Sequence, residues 1–189
     1  MTGITDLRVR AAQKGDKAAF EAIVSEQHAR LYHVCLRMMA SPEDAADMMQ
    51  EVWVKVWRNL PRFKGDSSLS TWLYRVAMNT CLDELRRRKK GAQVSMETLA
   101  ESGWEPTDPQ AEELLERSIN RELLLSALST LAEDYRAVLV LRDLQGMAYE
   151  EISAILNIPL GTVRSRLSRA RKQMAKNLLQ LEPNFLEHV

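Results

Sequence analysis

Apolar residues recur three or four positions apart along most of this sequence, and no segment alternates apolar with polar in the manner of a strand. That period makes the chain all-α. The pattern breaks between Gly91 and Pro109, where Gly91, Gly103, Pro106 and Pro109 stand among serines, threonines and acids. Such composition suits a flexible linker. Two small helical domains are therefore expected, residues 1–90 and 112–189, joined by a flexible acidic linker over 91–111.

Charge is segregated rather than scarce. The 26 basic and 26 acidic side chains cancel, yet Arg86, Arg87, Arg88, Lys89 and Lys90 form one basic run. Arg164, Arg166, Arg169, Arg171, Lys172 and Lys176 form a second with no acid among them. The acids Glu97, Glu101, Glu105, Asp108, Glu112, Glu113 and Glu116 lie between. Local basic faces decide phosphate binding more than the total does, although a single run is commonly just a solvated helix face. No apolar stretch nears the roughly 20 residues that span a bilayer, and the start has no signal-peptide core. A cytoplasmic protein with no membrane insertion is expected. Cys35 and Cys81 sit inside apolar helical patterns without a CxxC spacing and read as buried thiols, not as metal ligands.

A helix starts at Ser41-Pro42-Glu43-Asp44, where serine caps, proline takes the first helical position and the acids complement the positive helix end. Ala45, Met49, Val52 and Val56 form its inward face. The other side carries Asp47, Gln50, Glu51 and Arg58, together with Val54 and Trp57. Two readings of Trp57 stay open here, the domain core and a partner surface.

The next helix follows the polar loop Phe63 to Leu69, with Ser70 or Thr71 as the expected cap. Leu73, Ala77, Cys81 and Leu85 line one side of it. Trp72, Arg75, Asn79, Asp83 and Arg86 share another, which offers groups for stacking on bases and pairing with their edges. A solvated face with one tryptophan is the plainer reading of that stripe.

The sharpest local signal runs from Tyr149 to Met174. Ile152, Ile155 and Leu156 stripe a short helix, Asn157-Ile158-Pro159 makes a turn, and Leu160, Val163, Leu167, Ala170 and Met174 stripe a second helix. This is the pattern of a helix-turn-helix, the unit that docks its second helix in the DNA major groove, although some such units serve only as protein contacts. Gly161, Arg164, Ser165, Ser168, Arg169 and Lys172 stand opposite that stripe, with Arg166 and Arg171 on its flanks. The short, basic face brings guanidiniums to guanine edges and phosphates.

Taken together, DAADMMQEVWVKVW (Asp44 to Trp57), FKGDSSLSTWLYRVAMN (Phe63 to Asn79) and AYEEISAILNIPLGTVRSRLSRAR (Ala148 to Arg171) resemble the extracytoplasmic-function (ECF) sigma factors of the sigma-70 family, from about Ala18 to Leu181. The resemblance implies a stress-response transcription initiation factor, without catalytic residues or cofactor. By it, residues 1–90 are a region 2 domain and 112–189 a region 4 domain. Asp44, Asp47, Gln50, Glu51, Val54 and Trp57 would bind the beta-prime clamp of core RNA polymerase, whose beta flap is a further expected contact. Phe63, Lys64, Gly65, Asp66, Ser67, Ser68, Trp72, Arg75, Asn79, Asp83 and Arg86 would melt and read the minus-ten element, with one base flipped into the loop. Arg142, Tyr149, Thr162, Arg164, Ser165, Ser168, Arg169, Arg171 and Lys172 would read the minus-thirty-five element. Ser168 departs from the bulkier residue of some relatives. An anti-sigma factor, membrane-anchored in many relatives, is the expected regulator.

Two other classes remain in view. An ordinary helix-turn-helix regulator explains residues 148 to 174 but leaves the other two motifs idle. An enzyme with metal held by Glu43, Asp44, Asp47 and Glu51 is the more distant reading. These acids are better explained as a helix start plus a partner surface.

Overall fold

The computed structural model describes residues 3–91 and 120–182, and every regular element among them is helical. The first group comprises α1 (Gly3–Gln13), α2 (Lys17–Met39), α3 (Pro42–Asn59), a 3-10 turn (Leu60–Arg62) and α4 (Leu69–Gly91). α4 thus runs one residue into the expected linker. The remainder of that linker, and residues 112–119 of the expected second domain, lie outside the described residues.

Local chemistry sets the boundaries of the helices. Asp16 caps α2 by accepting the Ala19 amide at 3.1 Å, and Ala40 closes α2 in the left-handed region at φ 59°. Immediately afterwards Ser41 accepts the Asp44 amide at 3.3 Å, with Pro42 in the first turn of α3. The cap of α4 differs from expectation. Ser68, not Ser70 or Thr71, accepts the Thr71 amide at 3.0 Å, because the helix starts at Leu69 and both other hydroxyls already lie inside its first turn.

α2, α3 and α4 pack on one another and α1 lies along α2. Leu31, Val34, Cys35 and Met38 of α2 meet Ala45, Met49, Val52 and Val56 of α3 and Leu73, Ala77, Met78 and Cys81 of α4 in a buried core. Both cysteines are free and buried, and Cys35 reaches Met49 Sδ at 3.6 Å. A hydrogen bond with Cys35, and then burial, hold the Cys81 thiol well above its usual pKa. Such a thiol is a poor nucleophile.

The second group comprises α5 (described over residues 120–129), α6 (Glu133–Leu139), α7 (Tyr149–Leu156) and α8 (Leu160–Leu181). α6 ends in a π-turn over Val140–Leu144. Leu128, Val138, Val140, Leu141, Ile152, Ile155, Val163 and Leu167 form its buried centre.

The two groups share one continuous core. α7 packs on α4, and the π-turn on α2. Arg136, almost fully buried, donates to the Met38 carbonyl at the end of α2 and to the carbonyls of Ser129 and Leu131. Arg37 donates to the Leu144 carbonyl at 3.1 Å, and the Tyr74 hydroxyl lies 3.3 Å from Gln145 Oε1. Burial lowers the pKa of both guanidiniums and raises that of Tyr74.

Candidate functional site

Three surfaces carry the residues singled out by sequence. On α3, the inward set Ala45, Met49, Val52 and Val56 is buried, leaving Asp47, Gln50, Glu51, Val54 and Trp57 exposed. Val54 is 47% and Trp57 38% exposed, so neither is a core residue. Trp57 meets Phe20 of α2 edge-on at 4.7 Å. An open groove of about 740 Å³ runs beside them, lined by Lys17, Phe20, Glu21, Val24, Ser25, His28 and Trp57. Asp44 stands apart from this face, turned toward α4 and bonded to both terminal nitrogens of Arg88.

The second surface is the loop ahead of α4. Gln13 of α1 donates to the carbonyls of Leu60 (3.0 Å) and Phe63 (2.7 Å), which fixes the loop's entry. Gly65 sits at φ 82° with open space around its missing Cβ. The Ser68 hydroxyl closes the exit, 2.8 Å from Thr71 Oγ1. Lys64, Gly65, Asp66 and Ser68 are exposed, and Ser67 is half-buried. Beside the loop lies a cleft of about 280 Å³ lined by Arg8, Gln27, Arg30, Ser68, Leu69 and Ser70 among others.

On α4 the predicted stripe splits in two. Asn79, Asp83 and Arg86 are exposed, whereas Trp72 and Arg75 are half-buried. Trp72 leans on Phe63, with ring centroids 5.1 Å apart. Arg75 keeps its Nε buried with no hydrogen-bond partner. Among the basic run, Arg87 and Arg88 turn back onto Glu84, at 2.7 to 2.9 Å. These two guanidiniums, Arg87 foremost, pull the Glu84 carboxyl down to about 2.

The third surface is the helix-turn-helix. Asn157 adopts φ 53° to end α7, a left-handed conformation that asparagine tolerates better than most residues. Ser153 Oγ donates to the Ile158 carbonyl at 2.6 Å and holds the turn. The carbonyl of Pro159 then accepts the amides of Thr162 and Val163 to begin α8. Val163, Leu167, Ala170 and Met174 are buried as expected, but Leu160 is 37% exposed. Helical side chains lean toward the N-terminus, so a leucine in the first turn overhangs the end of its helix.

Arg164, Ser165, Ser168, Arg169, Arg171 and Lys172 lie exposed on α8, with Thr162 half-buried. Arg171 is clasped by Asp143 at 2.6 and 2.9 Å. Arg142 donates to the Met147 carbonyl at 2.7 Å and lies over the Tyr149 ring, 5.0 Å from its centroid. Both residues thus set the entry to α7. Arg164, Arg169 and Lys172 form no ion pair among the described residues.

Two family models match the chain: Sigma-70 region 2 over residues 23–91, and Sigma-70 region 4 over residues 121–174. The RNA polymerase sigma-H factor of Pseudomonas aeruginosa is 34% identical over 179 residues, covering 92% of this chain and 93% of the relative. The ECF RNA polymerase sigma-E factor of Escherichia coli is 36% identical over 170 residues, covering 87% and 88%. This chain is an ECF sigma factor of the sigma-70 family. SigW, an ECF sigma factor of Bacillus subtilis, is 31% identical over 185 residues, covering 92% and 96%. Two solved structures share the fold. CnrH, in complex with the cytosolic domain of CnrY, aligns with a TM-score of 0.66 over 93% of this chain and 97% of its own, at 24% identity. RpoE of Bartonella quintana, in complex with the anti-sigma factor NepR, aligns with a TM-score of 0.63 over 86% and 98%, also at 24% identity.

The region 2 match of this sigma factor contains α3, the loop and α4, and the region 4 match contains the helix-turn-helix. α1 lies before both, yet it supplies Gln13 to the loop and Arg8 to the cleft. Sequence reasoning missed these two, and also Phe20 and Val24 in the groove. No motif marks them, since each acts by lying beside a loop or helix distant in sequence. Among the described residues, no group of His, Cys, Asp and Glu is placed to hold a metal ion, and no helix is long and apolar enough to cross a membrane.

Proposed function

We propose that this alternative sigma factor binds core RNA polymerase through the exposed face of α3 and carries it to promoters read by α4 and α8. Asp47, Gln50, Glu51, Val54 and Trp57 form the polymerase contact, with the α2 groove beside Trp57 as its extension. The second domain meets the beta flap. The loop from Phe63 to Ser68 takes a flipped base of the minus-ten element, and the cleft walled by Arg8, Arg30 and Ser68 is where that base lodges. Arg75 and Asn79 read the neighbouring step. Arg164, Ser165, Ser168, Arg169 and Lys172 enter the major groove at the minus-thirty-five element, while Arg142, Tyr149 and Arg171 shape the unit from behind.

The domains span residues 1–90 and 112–189. The protein acts in the cytoplasm without catalysing a reaction, and an anti-sigma factor holds it inactive. The observation that supports this reading most is the pairing of two separate surfaces in one chain, a mixed acidic and apolar face on α3 and a cationic face on α8. An ordinary regulator has no use for the first.

Transcription in vitro by core polymerase, with and without the protein, tests the reading. Promoter-specific transcripts that need both the protein and the core enzyme are expected. Tight, sequence-specific DNA binding by the protein alone, with no change in transcription, would place it among ordinary regulators.

A further inference from the structure

One side chain outside both family matches meets the minus-ten loop at its root. Gln13 ends α1, ahead of the region 2 match that begins at residue 23. Its amide nitrogen carries two protons and donates to two carbonyls, Leu60 at 3.0 Å and Phe63 at 2.7 Å. α1 is itself held in place. Val9 and Ala12 are buried in the core, Arg8 pairs with Glu26 at 3.2 Å, and the turn into α2 passes through Gly15 at φ 92°. The donor is therefore anchored independently of the loop.

The Leu60 carbonyl also accepts the Phe63 amide at 3.0 Å, which closes the 3-10 turn. Gln13 thus clamps that turn at both ends. The Phe63 bond matters most, because Phe63 leaves the turn in an extended conformation, at ψ 114°, and its carbonyl belongs to the first peptide of the loop. A trans peptide is planar, with its carbonyl and its N–H on opposite sides. Drawing the Phe63 carbonyl toward α1 therefore aims the Lys64 N–H away from α1, and Gly65 turns next at φ 82°. From Lys64 to Ser68 no backbone amide donates to another group among the described residues. These are the donors an unstacked base would meet, and their directions follow from the peptide plane at which the loop starts.

We propose that Gln13 is a positioning residue for minus-ten reading: by holding the Leu60 and Phe63 carbonyls it orients the loop amides and so sets which base the loop accepts. The proposal rests on the assignment of that loop to the flipped base. In this role Gln13 acts through the peptide it holds and not by contact with DNA.

Three substitutions separate hydrogen bonding from packing. Gln13→Met keeps the length and bulk of the side chain and removes both donors. Gln13→Asn keeps the amide but is one methylene shorter, so it falls short of the loop. Gln13→Lys restores donors at the end of a flexible chain. Each full-length variant is assayed with core polymerase in transcription from promoters varied at each minus-ten position, alongside size-exclusion binding to the core enzyme and thermal melts. Gln13→Met and Gln13→Asn should lose about three- to tenfold of the discrimination at the flipped-base position, the range that one or two neutral hydrogen bonds supply. Gln13→Lys should recover most of it. Core binding and the preference at minus thirty-five should stay at wild-type values.

A base profile left unchanged by Gln13→Met and Gln13→Asn would overturn the proposal. So would a Gln13→Lys profile no better than that of Gln13→Met, since donation would then not be what holds the loop. Uniform loss at every position, in step with a lower melting temperature, would overturn it too, because Gln13 would then serve the fold and not the reading. If Gln13→Met fails to fold, Gln13→Asn carries the test, because it keeps a polar amide at this half-buried position. Exchange of residues 65–68 for those of a relative with a different minus-ten element checks the parent reading in the same assay. An exchange that leaves the profile unchanged removes the loop from base reading and the proposal with it. An exchange that transfers a preference, beside Gln13 variants without effect, removes the positioning role alone.

Discussion

The guanidinium of Arg88 clasps both carboxylate oxygens of Asp44, at 2.6 and 2.7 Å, and so ties the last turns of α4 to the first turn of α3. The same Arg88 reaches Glu84 through Nε at 2.7 Å. One side chain therefore sets the angle between the helix assigned to polymerase and the helix assigned to the minus-ten element.

Arg88→Ala should lower stability at neutral pH by about 1 kcal/mol, a figure reduced for solvent screening because Arg88 is partly exposed. Both carboxyls are held below their ordinary values, Asp44 by the Arg88 hydrogen bond and Glu84, at about 2, by Arg87 and then Arg88. Depressed carboxyls stabilise the fold above their unfolded pKa, near 4, and lose that contribution as pH falls through the folded value. Urea melts should show the gap between wild type and Arg88→Ala narrowing from pH 5 to pH 2. A gap of constant size over that range would mean that the arginine acts through packing alone.

Val54→Asp should weaken association with core polymerase at least tenfold while leaving the melting temperature within a few degrees, since Val54 is 47% exposed. Trp57→Ala should do the same at a stability cost of about 1 kcal/mol, from its lost contact with Phe20. Size-exclusion binding to core enzyme, paired with thermal melts, reads both quantities. Collapse of the melts along with binding would return Trp57 to the domain core.

The sequence made some of this legible because the signals were local. Ser41, Pro42 and the acids after them mark the start of α3 by chemistry confined to one turn, and Asn157 marks the end of α7 in the same way. The buried stripes of α3 and α8 follow from the helical period. Leu160 escapes it because a first-turn position obeys the geometry of a helix end. Trp72 is drawn into half-burial by Phe63, nine residues earlier, and Arg142 is held by the Met147 carbonyl and the Tyr149 ring. The bond from Arg136 to Met38 crosses most of the chain. No periodicity carries information of that range.

Arg164→Ala and Lys172→Ala should differ in kind. Both side chains are exposed on α8 and neither is paired among the described residues. Arg164 stands in the first turns, where a guanidinium reaches base edges, so its loss should relax preference at one minus-thirty-five position by about 1–3 kcal/mol. Lys172 lies two turns on, where the proposed docking puts it nearer the phosphates, and its loss should weaken all sites alike and reduce the salt slope by about one. Competition transcription on matched and mismatched elements separates the two. Equal effects on both templates for both variants would remove Arg164 from base reading.

The loop before α4 should govern minus-ten preference through its backbone. Gly65 lies at φ 82° in open space, so alanine meets strain there and not a clash, at a cost of about 1 kcal/mol. The cap from Ser68 to the Thr71 amide and the bonds from Gln13 hold the two ends of the loop. Between those anchors the exposed residues are small or polar, and their amides and hydroxyls can satisfy the edge of an unstacked base. Exchanging residues 65–68 for those of a relative with a different minus-ten element should transfer its preference at one base position. Asn79→Ala should lower discrimination at a neighbouring position, because an amide pairs with a base edge and a methyl does not. Neither change touches the exposed face of α3, so association with core polymerase should hold. In vitro transcription from promoters varied at each minus-ten position reads the outcome, and a base profile unchanged by the loop exchange would exclude the loop as the flipped-base site.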